Sequence, residues 1–219
     1  MTRGVESEKR LAAEAAAELV EDGMTVGLGT GSTVAYLLPA LASRRLSLRC
    51  VATSPRTEEA ARSLGIPVGP LAGIGRLDIA IDGADQIAPD GWLVKGGGGA
   101  HTREKLVAVT AERFVVIADS TKLVECLHPP IPLELLFFGL ASTLGRLTRT
   151  VLREIPASPD GGVIADFTGE IGEPAALASW LGCTPGVVEH GLFPPELVHS
   201  VLIGIGSNVV TKTIRNDNS

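Results

Sequence analysis

The chain has 219 residues and a formal net charge of −6, enough length for one large domain or a large domain with a small companion. The negative balance excludes a broad basic face for nucleic acid, and 45% hydrophobic against 4% aromatic residues suits close-packed α/β layers better than an aromatic-rich sandwich. Three cysteines without a Cys-X-X-Cys pair, and a polar N-terminus leading into an Ala-rich segment, predict a reduced, cytoplasmic protein with no signal peptide.

Glu6 to Val20 reads as a helix rich in Ala and Glu, stopped by Asp22-Gly23, with Lys9 in its first turns. Met24 to Gly29 reads as a strand, Thr30-Gly31-Ser32-Thr33 turns off its end, and an apolar helix follows from Val34 to Leu41. Strand, Gly-rich turn and helix N-terminus form an anion-binding arrangement, because free N–H groups and the positive end of the helix dipole face one point. A dinucleotide fingerprint needs Gly where Ser32 stands, and a P-loop needs Gly-Lys where Ser32-Thr33 stands, so neither motif is met. What remains is a hydroxyl-bearing turn suited to one small phosphate monoester, or a plainly capped helix start.

Leu48 to Thr53 is the next predicted strand, Ser54-Pro55 opens a helix that ends at Gly65, Ile66 to Val68 is a short strand and Leu77 to Ile81 a longer one. That last run leads into Asp82-Gly83-Ala84-Asp85, and Trp92-Leu93-Val94 leads into Lys95-Gly96-Gly97-Gly98-Gly99-Ala100. An apolar run ending in Asp-Gly reads as a buried strand whose C-terminal end meets solvent, where open parallel sheets place their ligands. Consecutive glycines are costly in regular structure and mark backbone that must come close to something. Glu104 falls in the first turn of a helix starting near Thr102, where it either complements the dipole or is kept ionised by it, ready to accept a proton from carbon. Asp82 and Asp85 suit acid-base work, turn and cap duty, or, with Glu104, a divalent metal, with which Lys95 would compete for the same carboxylate charge.

Arg113 to Ala118 is a further buried strand, and Asp119-Ser120-Thr121-Lys122 sets another cation at its C-terminal end. Strands alternating with helices imply right-handed crossovers and a parallel sheet. His128-Pro129-Pro130-Ile131-Pro132 reads as a linker. From Leu133 to about Ile203 the order strand, helix, strand, strand, helix, strand describes a small α+β unit of ferredoxin-like order, and Val198 to Ile205 returns the chain to the first domain. The expected domains are 1–130 with 204–219, and 131–203, with the polar tail from Arg215 to Ser219 loose. The apolar run Leu133–Leu144 carries Glu134 and is too short to cross a bilayer, so no membrane role is expected.

The segments Gly27-Leu28-Gly29-Thr30-Gly31-Ser32-Thr33, Asp82-Gly83-Ala84-Asp85, Lys95 to Ala100, Arg103-Glu104-Lys105 and Pro185-Gly186-Val187-Val188-Glu189-His190-Gly191-Leu192-Phe193 together resemble the type A ribose-5-phosphate isomerases. The resemblance implies a Rossmann-like catalytic domain, a smaller α+β domain serving as oligomerisation surface or lid, and a homo-oligomer, dimer or tetramer. It also implies interconversion of ribose 5-phosphate and ribulose 5-phosphate in the pentose phosphate pathway without metal or organic cofactor, with a small sugar phosphate, no nucleic acid and no membrane as partner. By the same resemblance Glu104 is the base at carbon, Asp82 assists ring opening and proton transfer at the hydroxyls, Asp85 supports it, and Lys95 steadies the enediolate. Lys9, Ser32, Thr33 and Lys122 contact the phosphate or sugar, Thr30 and Gly31 shape the loop, and Gly96, Gly97 and Gly98 line the substrate. The chain departs from the family pattern at Gln86, usually Glu, at His101, often small or apolar, and at Ser158-Pro159-Asp160-Gly161-Gly162, commonly an Asp-Asn-Gly-Asn turn. A non-catalytic sugar-phosphate sensor, or a different reaction on the same scaffold such as isomerisation of another pentose phosphate, are the competing readings; a sensor would be expected to lose Glu104 or Lys95, and both stand here.

Overall fold

The computed structural model describes residues 2–215. Its elements in chain order are α1 (Thr2–Ala17), β1 (Thr25–Leu28), α2 (Val34–Ser43), β2 (Arg49–Ala52), α3 (Pro55–Ser63), β3 (Leu77–Asp82), β4 (Gln86–Ile87), β5 (Leu93–Val94), α4 (His101–Thr110) and β6 (Ala111–Asp119). They continue with β7 (Ile131–Leu135), α5 (Leu140–Arg146), β8 (Thr150–Leu152), β9 (Val163–Phe167), α6 (Pro174–Cys183), β10 (Val187–His190), β11 (Leu192–Phe193), β12 (Ser200–Ile205) and β13 (Asn208–Thr213). Short 3-10 turns span Ser120–Lys122 and Pro195–Leu197. The chain forms two compact units: the first holds residues up to Ala84, Arg103–Lys122 and the segment from Pro195 onward, and the second holds Asp85–Thr102 and Leu123–Pro194.

The first unit is built on a sheet of order β13-β12-β6-β3-β1-β2 among the described residues. Its pairs are parallel apart from the β12–β13 hairpin. Central strands buried on both faces are written as nearly continuous apolar runs. Accordingly Leu28, Ile79, Ile81, Val115 and Ile117 join Ala12, Ala13, Ala16 and Ala17 of α1 in one core, the alanines letting that helix lie close to the strands. The chain steps outward from β1 to β2 and then crosses back to β3, so β1 and β3 flank the reversal of strand order, where doubly wound sheets bind ligands at the carboxyl ends of their strands.

The second unit carries an antiparallel sheet of order β10-β7-β9-β8, the ferredoxin-like arrangement, and a small sheet of order β11-β5-β4. Ile131, Leu133, Leu135, Phe167, Leu177 and Leu181 share its core.

Several expectations change on contact with the structure. Ile66–Val68 is not a strand, since only Val68 aligns with Cys50, in an isolated parallel bridge. The Pro cluster is not all linker: Pro132 lies inside β7 opposite Asp166, contributing its carbonyl, which accepts from Gly191 N–H, without needing an N–H of its own. The strand expected over Val187–Leu192 breaks at Gly191, which donates to Pro132 of one sheet and accepts from Lys95 N–H beside the other. The domain limits expected at 130/131 and 203/204 also differ from the two units. β12 pairs with β6 of the main sheet, while β4 and β5 pair with each other and with β11 of the second unit. The expected loose tail lies, from residue 216 on, outside the described residues. No helix among the described residues is long and apolar enough to cross a membrane.

Candidate active site

In the first unit, Asp82 closes β3 and is only 3% exposed. Its Oδ1 accepts from Thr30 N–H at 3.0 Å and from Gly83 N–H at 2.7 Å, tying the end of β3 to the loop after β1. Gly29 is required there, because a Cβ would overlap the Asp82 carboxyl carbon. Thr30 turns its hydroxyl inward onto Thr53 (2.8 Å) and Ser54 (2.9 Å), and Thr57 donates to Gly29 O at 2.9 Å, so a knot of hydroxyls fixes the loop from behind. Ser54 also caps α3 by accepting from Thr57 N–H, joining its expected capping role to the loop. Thr33 precedes α2 and makes no side-chain cap there, while Ser32 and Gly31 are exposed. The Gly31–Thr33 turn therefore stands at the N-terminal, partially positive end of α2 with its hydroxyls not used for capping.

Of the two cations expected beside this loop, Lys9 is held by a carboxylate and Lys122 rides on a turn that carboxylates fasten. Lys9 donates to Glu6 Oε1 at 2.8 Å, and Tyr36 of α2 donates to Glu6 Oε2 at 2.7 Å. The Lys9 hydrogen bond, followed by that from Tyr36, holds the Glu6 carboxyl below the usual range, and the bond to Glu6 pushes the Tyr36 phenol up. Lys122 ends the 3-10 turn after β6. That turn is held by Asp119, which accepts from the N–H and hydroxyl of Thr121, and by Glu8, whose Oε2 accepts from Ser120 N–H (3.0 Å) and Oγ–H (2.7 Å). The other oxygen of Glu8 accepts from Gly206 N–H at 2.8 Å, so one buried carboxylate of α1 binds the turn after β6 and the turn after β12. Glu104, 5% exposed, lies in the first turn of α4, whose Val107 packs on Gly27 of β1.

In the second unit, Asp85 is exposed, its N–H donates to Val94 O at 2.8 Å, and its Oδ2 accepts from Gly97 N–H at 2.7 Å. The carboxylate thus caps the glycine run, and Gly97 and Gly98 are exposed. Lys95, 2% exposed, carries its ammonium 5.4 Å from the centroid of the Phe193 ring, a cation–π contact at the end of a largely apolar stem. Gly96 turns with φ +104°, and a Cβ on it would collide with the buried His101 ring, 2.6 Å from Nδ1. His101 is therefore packed beneath the glycine run.

Gln86 is equally internal, with Nε2 donating to His128 O at 2.7 Å and Oε1 accepting from His128 N–H at 2.9 Å, which spends its amide on the segment before β7. The divergent Ser158–Gly162 turn closes on Glu134, which accepts from Ser158 at 2.5 Å and from Thr102 at 2.5 Å. Glu134 and the Arg153–Asp166 pair, bridged at 2.6 Å, carry no local signal in the sequence, because their partners lie across strands or turns far away in the chain.

The sequence profile of ribose 5-phosphate isomerase A (phosphoriboisomerase A) matches residues 49–208. Ribose-5-phosphate isomerase A of Caulobacter sp. (strain K31) is 45% identical over 220 residues, covering 94% of this chain and 97% of that one. The crystal structure of ribose 5 phosphate isomerase A from Neisseria gonorrhoeae superposes with a TM-score of 0.90 at 32% identity, over 95% of this chain and 96% of that one. A D-ribose-5-phosphate isomerase solved in complex with phospho-erythronic acid gives a TM-score of 0.89 at 32% identity, over 95% of this chain and 99% of that one. The resemblance read from the motifs holds along nearly the whole sequence, and the chain belongs to the ribose 5-phosphate isomerase A family.

Proposed function

We propose that the chain interconverts D-ribose 5-phosphate and D-ribulose 5-phosphate through an enediolate, with Glu104 as the base at carbon. The chain is an isomerase of a family acting on a sugar phosphate, and the mechanism is the further step. In the forward direction the C2–H bond breaks and Glu104 takes the proton. The C1 carbonyl oxygen gains a proton, the C2 hydroxyl loses one, and Glu104 returns its proton to C1, so the product is an isomer with no redox partner. Asp82 moves protons at the hydroxyl oxygens and assists ring opening, Asp85 supports it, and Lys95 supplies positive charge where the enediolate oxygen develops. Ser32 and Thr33, on the loop shaped by Thr30 and Gly31, hold the phosphate with Lys9 and Lys122, and Gly96, Gly97 and Gly98 bring bare backbone to the sugar. The observation carrying the base assignment is a nearly fully buried carboxylate in the first turn of a helix, where the dipole favours its ionised, proton-accepting form. A related D-ribose-5-phosphate isomerase was solved in complex with phospho-erythronic acid, and the hydroxyl-bearing turn at the N-terminal end of α2 suits the phosphate of such a ligand. Homo-oligomeric assembly and a cytoplasmic place belong to the same reading. The test is Glu104→Gln, assayed on ribose 5-phosphate: kcat falls by about 10²- to 10⁴-fold, the usual contribution of a positioned base, with KM nearly unchanged. A variant retaining wild-type kcat removes Glu104 from the chemistry.

A further inference from the structure

We propose that Arg153, oriented by Asp166, is a positioning residue for the isomerisation, acting through the Lys95–Gly98 segment of the second unit. Arg153 follows β8 and its N–H donates to Ile164 O at 2.9 Å, which places it across from β9 and diagonally beside Asp166. Its guanidinium is shared between two tasks. Nε and Nη2 donate to Asp166 Oδ2 (2.7 Å) and Oδ1 (2.6 Å), a bidentate pairing that fixes the plane of the group. Nη1 then donates to Gly96 O at 2.9 Å and Gly97 O at 3.0 Å.

A run of four glycines has many accessible backbone states, and nothing in its side chains selects one. Here the selection comes from three directions: Lys95 N–H is held by Gly191 O, Gly97 N–H by Asp85, and the two carbonyls between and beside them by Arg153. The same contacts determine where the Lys95 side chain leaves the backbone and where the Asp85 carboxylate is fastened. Arg153 thus reaches the two proposed functional groups through the loop that carries one and binds the other. Only a forked, planar cation supplies both edges at once; a lysine ammonium keeps the charge and loses the fork.

This proposal rests on the isomerase reading and is tested with Arg153→Lys and Asp166→Asn in the full chain. Arg153→Lys lowers kcat for ribose 5-phosphate by about ten- to a hundredfold with KM within a fewfold of wild type, as a misplacement of catalytic groups by about an ångström does, and Asp166→Asn moves kcat in the same direction by less. Amide hydrogen exchange over residues 95–100 rises by at least about tenfold in Arg153→Lys, while exchange over 131–135 and 163–167 stays at the wild-type rate. Unchanged kcat in both variants, or lowered kcat without faster exchange in the glycine run, overturns the positioning role. So does failure of both variants to fold, since Arg153 would then hold the unit rather than the loop. A wild-type protein that turns over no ribose 5-phosphate contradicts the isomerase reading instead, and the exchange measurement still decides whether Arg153 sets the loop.

Discussion

Asp82 is fixed before any substrate arrives: two main-chain N–H groups, one from the loop after β1 and one from its own turn, both converge on Oδ1. In the proposed mechanism, preset dipoles of this kind need no reorganisation during reaction. The arrangement depends on the absence of one methyl group. Gly29→Ala would drive a Cβ into the Asp82 carboxyl carbon, so either the carboxylate or the Thr30 loop moves. We expect a stability loss of about 1–3 kcal/mol, typical of overpacking, together with at least about a tenfold loss of kcat. Thermal melts and steady-state kinetics check both, and a Gly29→Ala variant with wild-type kcat contradicts the fixed role of Asp82. Asp82, Asp85, Lys95 and Glu104 stand out in the sequence as candidates because polar groups interrupt apolar runs at the points where strands end and helices begin. Arg153, Asp166 and Glu134 do not, because each acts through a partner brought near only by strand register or a distant turn.

At the scale of elements, Glu8 fastens α1 to the 3-10 turn that carries Lys122 and to the β12–β13 turn. The Ser120 hydroxyl first, then the Gly206 and Ser120 N–H groups, favour its charged form and hold its carboxyl below the ordinary value of 4.5. A depressed carboxylate pKa contributes stability that is present above the unfolded-state value and is lost as pH falls through the folded one. Glu8→Gln should therefore be less stable than wild type near neutrality and converge with it below about pH 4.5, seen in melting temperatures measured across that range. Parallel curves at all pH values would contradict the assignment. Alternating apolar segments made the parallel sheet and the ferredoxin-like order readable in advance. They did not reveal Pro132 inside β7 or the break at Gly191, since both follow from one residue serving two hydrogen-bonding partners that only the fold brings together.

Across the whole molecule, the acidic balance and the isomerase family agree with a small anionic ligand bound locally rather than a polyanion bound broadly. The division into units cuts the central motif twice, between Ala84 and Asp85 and between Thr102 and Arg103. The sequence shows that motif as a single stretch. Only the pairing of β4 and β5 with β11 assigns its middle part to the second unit, which is why the expected domain limits missed it. In the proposed mechanism the proton moves between carbons by way of a base and an enediolate. This transfer is tested most directly by converting ribose 5-phosphate in deuterated water with chelator-treated protein and reading the ribulose 5-phosphate by NMR. The base mechanism gives full turnover, with deuterium at C1 of the product in those turnovers in which Glu104 exchanges its proton with solvent before returning it. Turnover with no deuterium in product or recovered substrate, together with a wild-type rate in Glu104→Gln, would contradict it, as would a rate abolished by chelator and restored by a divalent cation.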